Sequence, residues 1–391
     1  MPKYRFAGVT LLAGLLVFSA VTTSAITLEM QVGSSGKTED KPQSKLWHTD
    51  GAWWGILPAG DGLYFYRMVN GQFIKQTFAH AKVDAKNGAR ADVLWDDITG
   101  TLYVLIYKGS SSSFVTYSYN DVAQTYTRIG TATPVTYASG VETATIALDT
   151  GNTLWSAYEA GGKIYVKWSF DHTTWSPPFQ ISSPNLVSAD DIATVIAFDG
   201  RIGVMWSNQN DGTFNFRVHN DTDPEAIWQP AEVVIAGNKA SDDHIHLTVT
   251  PDQTVLAAVK SSLDESISLF SRSALDEAWS GPYKISKNAT RPIVLYEQDH
   301  DEVYVFYTDL VYYPSGTTSR AIVYRKAPLS DLAQITSAPV VRVLAKSGIQ
   351  INDVTSTKDN VNAATNIVIA AKGEKTTTMF YTTVDIPPAF P

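Results

Sequence analysis

The chain has 391 residues, of which 44% are hydrophobic and 18% charged, the balance of a globular protein with a sizeable core rather than a disordered one. It contains no cysteine, which excludes disulfides, thiolate metal sites, a cysteine nucleophile and a lipoprotein anchor. Its 39 acidic side chains outnumber the 30 basic ones and oppose nucleic acid or an anionic membrane as a general partner.

The first 25 residues carry a basic start (Lys3, Arg5), an apolar run from Val9 to Phe18 and the small residues Thr23, Ser24 and Ala25. This is the layout of a secretory signal peptide, with cleavage expected after Ala25 and a secreted or periplasmic mature protein. The run is short of the roughly 20 apolar residues that a membrane span needs. Removing Lys3 and Arg5 leaves 28 basic against 39 acidic side chains. No membrane partner is expected after cleavage.

Residues 26–44 divide into a short apolar stretch, Ile26 to Val32, and a polar tether from Gly33 to Ser44. From Leu46 onward, short β-branched and aromatic runs alternate with turn signals, and no segment sustains helical spacing. One outline recurs: a polar start, an apolar strand, a turn, and a second apolar strand. Taking Leu46, Asp92, Thr143, Asp191, Asp243, Arg291 and Asp353 as equivalent starts gives steps of 46, 51, 48, 52, 48 and 62 residues. A second ruler agrees, because Phe73, Tyr126, Trp175, Trp228 and Trp279 follow polar turns at spacings of 53, 49, 53 and 51.

A period near 50 with four short strands per unit predicts an all-β, seven-bladed β-propeller over residues 45–391. A four-stranded blade buries both faces only against its neighbours, so the repeats must close into a ring. The last unit supplies three strands, near Asn352 to Ser356, Asn366 to Ala371 and Thr377 to Val384. The stretch Ile26 to Val32 is expected to fill its vacant fourth place, joining the two chain ends in one blade.

Ser169-Phe170-Asp171-His172-Thr173-Thr174-Trp175 resembles the S-x-D-x-G-x-T-W hairpin of the sialidase-like, or Asp-box, propellers, lacking one residue and the glycine. Weaker echoes stand at Asp223 to Trp228 and Ser273 to Trp279. The resemblance implies a structural hairpin for Asp171 and Trp175 and, for the protein, a carbohydrate-directed role such as glycoside hydrolysis. That family binds a sugar carboxylate with three arginines and carries an early F-R-I-P segment. No such segment occurs here, and none of Arg90, Arg217, Arg291, Arg320 and Arg325 maps onto the arginine set. Asp242-Asp243-His244 is similar to a motif of propeller-type polysaccharide lyases, which leaves lyase and non-catalytic scaffold as alternatives.

Residues at the repeat starts should converge at one mouth of the central channel although they lie far apart in sequence. His244, Asp243, Glu142 and Asp191 are therefore candidate catalytic groups, moving protons at a crowded cluster of carboxylates. Arg90, Arg291, Asp92, Asp353 and His246 are candidate ligand-binding groups, the arginines suiting an acidic sugar. A competing reading has Asp92, Asp191 and Asp243 cap the turns that enter the inner strands. His244 and His246 share a face by period-two alternation, a weak metal signal, and no metal or other cofactor is expected. Trp47, Trp53, Trp54, Trp95 and Trp206 offer faces for sugar rings or pack between blades. The loops at Ser110 to Ser113 and Tyr312 to Gly316 are candidates to shape a binding rim, and the protein is expected to act as a monomer on carbohydrate.

Overall fold

The computed structural model describes residues 27–32, 41–182, 184 and 186–389. The expected signal peptide and cleavage site lie outside the described residues. Seven antiparallel sheets are arranged as a β-propeller, six of them built on four consecutive strands from axis to rim and the seventh on three such strands and the N-terminal one. The inner strands are Leu46–Thr49, Arg90–Asp96, Ala144–Leu148, Ala193–Phe198, Ile245–Val249, Thr290–Glu297 and Ile351–Thr355, each within two residues of the start that the repeat assigned to it. Blade one carries a fifth, short strand, Lys82–Asp84, paired with its third.

The seventh blade closes the ring with both chain ends. Leu28–Gln31 pairs antiparallel with Thr378–Val384, Leu28 opposite Tyr381 and Gln31 opposite Thr378. The amide of Val32 then donates to Thr377 O at 2.8 Å. The strand falls inside the stretch that the three-strand count left to find a place, because an unpaired edge at the ring's seam would expose a full row of amides.

Strands such as Ala52–Ala59 and Leu154–Glu159 are buried along their whole length, their side chains pointing alternately to the two flanking blades, so the core is a ring of inter-blade layers. Trp47, Trp54, Phe65, Tyr117 and Tyr126 fill the layer between blades one and two. There the rings of Phe65 and Tyr126 stack at 4.8 Å, and Trp47 Nε1 donates to the Tyr126 hydroxyl at 2.7 Å. Trp53, Trp95 and Trp206 are likewise buried, at 5, 8 and 4% exposure, so packing accounts for most of their surface. Such burial is worth about 1.5–3 kcal/mol for each large apolar side chain and takes the place of disulfides in a cysteine-free chain.

The local signals resolve in the same way. Asp171 accepts the backbone N–H groups of Thr173 and Thr174 at 2.8 and 2.7 Å, and Trp175 packs edge-on to Phe114, 5.8 Å between centroids. The long sixth unit has two causes. Its second and third strands, Glu302–Tyr312 and Thr318–Pro328, form a hairpin of 11-residue arms, and a 3₁₀ helix, Leu329–Thr336, precedes its fourth strand. Leu332 and Ile335 of that helix are buried against blades five and six, a two-residue anchor too short for periodicity to reveal.

Candidate functional site

Neighbouring inner strands are tied to one another side chain to backbone. Asp92 of blade two accepts the amide of Ile146 in blade three at 2.8 Å, Thr145 Oγ1 accepts that of Val195 in blade four at 3.1 Å, and His246 Nδ1 of blade five accepts that of Val294 in blade six at 3.3 Å. The strands therefore share one direction along the axis, and the residues that precede them gather at one end.

At that end three blades bring Glu142, Asp190 and Asp243 together, one carboxylate oxygen of each lying within 4.8 Å of the others. Lys41, from the end of the polar segment, reaches into the group and pairs with Glu142 at 2.7 Å and with Asp243. Burial works against the Lys41 ammonium, yet Asp243 and Glu142 together raise its pKa. Burial likewise pushes the Asp243 carboxyl up, but hydrogen bonding and charge from His244 and Lys41 outweigh it and hold the group well below the usual carboxylate range.

His244 is enclosed. Its Nδ1 lies 2.6 Å from oxygens of both Asp242 and Asp243, its Nε2 lies 3.3 Å from Thr290 Oγ1, and its side chain is only 7% exposed. Asp242 is held in turn by Lys260 at 3.2 Å and by the Ser262 hydroxyl at 2.9 Å. Behind this network, Glu159 accepts the amide of Gly162 at 2.7 Å, and burial, with the charges of Asp191 and Glu142, lifts its carboxyl to about 7.

The other candidates divide between mouth and scaffold. Asp191 is buried, accepts the amides of Ser188 at 2.6 Å and Gln209 at 3.1 Å, and is raised by burial. Asp92 is fully buried and accepts from the amides of Ser44 and Ile146 and from Lys358 Nζ. Both act on backbone, as turn and strand caps do. Arg291 pairs with Asp353 across blades six and seven, both with positive φ, 54° and 62°, at the starts of their inner strands. Non-glycine residues held there are costly and cluster at sites where a side chain must be aimed. Arg90 is half-buried at the first position of its inner strand. Arg217 and Arg325 lie away from the axis on third strands, donating to the carbonyls of Gln229 and Thr336.

The last residues of the polar segment dock into the channel. Gln43, Ser44 and Lys45 are buried; Gln43 Nε2 donates to Ala144 O, the Ser44 amide to Asp92, and Lys45 Nζ to Ala91 O. The docked residues give the inner-strand backbone of blades two and three hydrogen-bond partners inside the channel. The segment divides the channel. On its far side lies a cavity of about 380 Å³, floored by Pro42 and Ser44 and walled by the latter halves of the inner strands of blades two to five. His246 lines this second compartment, so the two histidines of Asp-Asp-His-Ile-His serve different ends of the channel.

Lys41, Glu159 and Asp190 complete the mouth beyond the candidates first singled out. Asp190 was visible as the neighbour of Asp191 at a repeat start. Glu159 ends a second strand, where the pattern signals only burial, and Lys41 lies in a segment whose composition reads as solvated.

No family model and no curated protein matches the sequence. Among solved structures, the chain is similar to a protein of unknown function from Dyadobacter fermentans, at 12% identity and TM-score 0.50, over 92% of this chain and 99% of that one. It is also similar to a triple arginine mutant of AofleA from Arthrobotrys oligospora, at 13% identity and TM-score 0.51, over 78% and 87%. The polysaccharide lyase Uly1 follows at 8% identity and TM-score 0.49, over 88% and 90%. At these identities the likeness extends to the fold, and the chain is a seven-bladed β-propeller.

Proposed function

We propose that this protein is an exported, carbohydrate-directed propeller that takes a neutral glycan at the mouth where the inner strands begin. The observation that carries the reading is the meeting of Glu142, Asp190 and Asp243 from three blades, with carboxylate oxygens within 4.8 Å. Two carboxyl groups about 5–5.5 Å apart flank the scissile bond in retaining glycoside hydrolases, so the spacing suits acid–base work on a glycosidic bond. Glu142 and Asp190 are the more open members and the ones placed to meet a ligand. Lys41 and His244 are positioning residues, Lys41 neutralising Glu142 and Asp243 and His244 locking Asp243.

A neutral rather than acidic sugar fits the charges. Arg291, one of the two arginines expected to take a sugar carboxylate, is paired with Asp353, the other, Arg90, is half-buried, and Lys41 is paired with Glu142 and Asp243. The rim adds the blade-six hairpin, whose tip exposes Tyr312 at 77%, a flat face with little conformational entropy to lose. A second reading, a glycan-binding scaffold without turnover, is favoured by Lys41, which ties up two of the three carboxylates.

The test is incubation with neutral, uronate-containing and sialylated oligosaccharides, read as new reducing ends and as ultraviolet absorbance of unsaturated products. Reducing ends from neutral glycans, lost in Glu142→Gln and Asp190→Asn variants that melt like the parent, support the hydrolase. Binding without product supports the scaffold, and unsaturated product the lyase alternative. Absence of binding to every glycan overturns the reading.

A further inference from the structure

The compartment beyond the docked segment is chemically unlike the mouth. Leu94, Ile146, Leu148, Ile196, Leu247 and Val249, from four blades, give it hydrocarbon walls. Its charged groups collect on one side. Asp97 follows the inner strand of blade two and is exposed at the opening beside Ile98, and Lys358 and Asp359 follow the inner strand of blade seven. An open, apolar-walled cavity with a few convergent polar groups has the form of a small-molecule site, and about 380 Å³ is toward the small end of such sites.

The sign of the charge decides the ligand. Lys358 does not answer the carboxylates, because its Nζ is taken by Asp92 Oδ2 and Ile146 O, both at 2.7 Å. Asp96 is engaged in its own turn, accepting the Ile98 amide at 3.0 Å and the Thr99 hydroxyl at 2.6 Å. His246 is neutral: burial, with Lys358 nearby, lowers its pKa to about 3, and its Nδ1 accepts the Val294 amide. His48 of blade one, which feels the charge of Asp97, is pushed by burial toward its neutral form. Asp97 and Asp359 are left as the anions at the opening, with only Trp95 Nε1 at 3.3 Å and the Thr357 hydroxyl at 2.9 Å donating to their side chains among the described residues.

We infer that this cavity is a second ligand site, separate from the glycan mouth, for a small organic cation: a compact hydrocarbon body seated among Leu94, Leu148, Ile196 and Val249, with one ammonium group held between Asp97 and Asp359. Hydrocarbon walls reward the body by burial, and two carboxylates at the rim supply charge-assisted hydrogen bonds. A carboxylate ligand of the same shape meets like charge, and a neutral one leaves the aspartates unmatched.

The pH dependence follows from Asp359. Burial, reinforced by Asp97, raises its carboxyl to about 6 against the partly offsetting Thr357 hydroxyl and Lys358. Cation binding needs the ionised form, so affinity is full above that value and falls as the pH drops through it.

Calorimetric titration of the whole protein with cyclohexylammonium, cyclohexanol and cyclohexanecarboxylate tests the site. The ammonium is expected to bind at least about tenfold more tightly than the alcohol at pH 7.5, with the carboxylate weakest, and to lose about tenfold between pH 7.5 and pH 5. Asp359→Asn and Asp97→Asn should each remove most of the charge preference. Leu148→Trp, which fills the cavity and leaves both aspartates in place, should abolish binding of ammonium and alcohol alike. Equal affinity for ammonium and alcohol, no saturable binding of either, or a cation preference that survives both aspartate substitutions would overturn the inference. Should an aspartate variant fail to fold, the three-ligand comparison on the parent protein decides alone. Glycan binding at the opposite mouth is read independently, so either site can fail without the other.

Discussion

Lys358 of blade seven reaches across the axis to Asp92 of blade two, Nζ to Oδ2 at 2.7 Å, joining residues 266 positions apart. Asp92 also accepts the amides of Ser44 and Ile146 at 2.9 and 2.8 Å. A fully buried carboxylate thus fixes the ring's seam, the docked segment and the start of blade three at once. Asp92→Ala leaves two amides without their acceptor and the Lys358 ammonium without its counter-ion, and breaking such a buried pair costs about 3–5 kcal/mol. Urea unfolding should show that loss. A cost below about 1 kcal/mol would mean that the seam does not depend on this contact.

The N-terminal strand makes a second prediction. Val32 is fully buried in the core layer that blades six, seven and one share with Phe380 and Tyr381. Truncation through Val32 strips the outer strand from blade seven and opens an edge at the seam. The truncated protein should melt at least several degrees lower and aggregate on heating, whereas truncation through Ala25 alone should leave the melting temperature unchanged.

Glu159 sets a pH dependence of stability. Its carboxyl titrates near 4.5 in the unfolded chain and about 7 in the folded one. Because the folded state holds the proton more tightly, this residue's contribution is most favourable below pH 4.5, declines as the pH rises, and is lost above pH 7. Glu159→Gln should therefore be more stable than the parent at pH 8, the advantage vanishing by about pH 4.5. Parallel stability-versus-pH profiles for the two proteins would contradict the raised value.

Lys41 supplies a prediction at the mouth. It is the cation shared by Glu142 and Asp243, so Lys41→Met leaves two nearby carboxylates to repel one another. Carboxylate titration followed by nuclear magnetic resonance should show the Asp243 pKa rising by a unit or more. An Asp243 titration unchanged by the substitution would show that Lys41 contributes nothing to the site's charge balance.

The architecture was legible in the sequence because it repeats. Starts such as Asp243 and Arg291 recur at steps of 46 to 62 residues, and ring closure follows from two-sided blades, with Leu28–Gln31 the strand that completes the seventh. The mouth was legible in part. Glu142, Asp243 and His244 stand at repeat starts and do converge, whereas Asp92 and Asp191, equivalent by position, face backbone amides instead. Position in the repeat fixes the end of the channel but not the direction of a short side chain, which depends on which amides the neighbouring blade leaves unpaired. Lys41 and Glu159 carried no periodic signal. The second cavity was hidden because its walls read as ordinary strand hydrophobics, and because Asp97 and Asp359, some 260 residues apart, meet only when the ring closes.

The proposed glycan seat lies over the carboxylates at the inner-strand starts. Carbodiimide labelling of accessible carboxyl groups, mapped by mass spectrometry with and without a bound neutral oligosaccharide, addresses it directly. Protection of Glu142 and Asp190, with Asp97 labelled equally in both samples, is the predicted result. Protection confined to Asp97, or labelling of Glu142 and Asp190 that a saturating glycan leaves untouched, would contradict it.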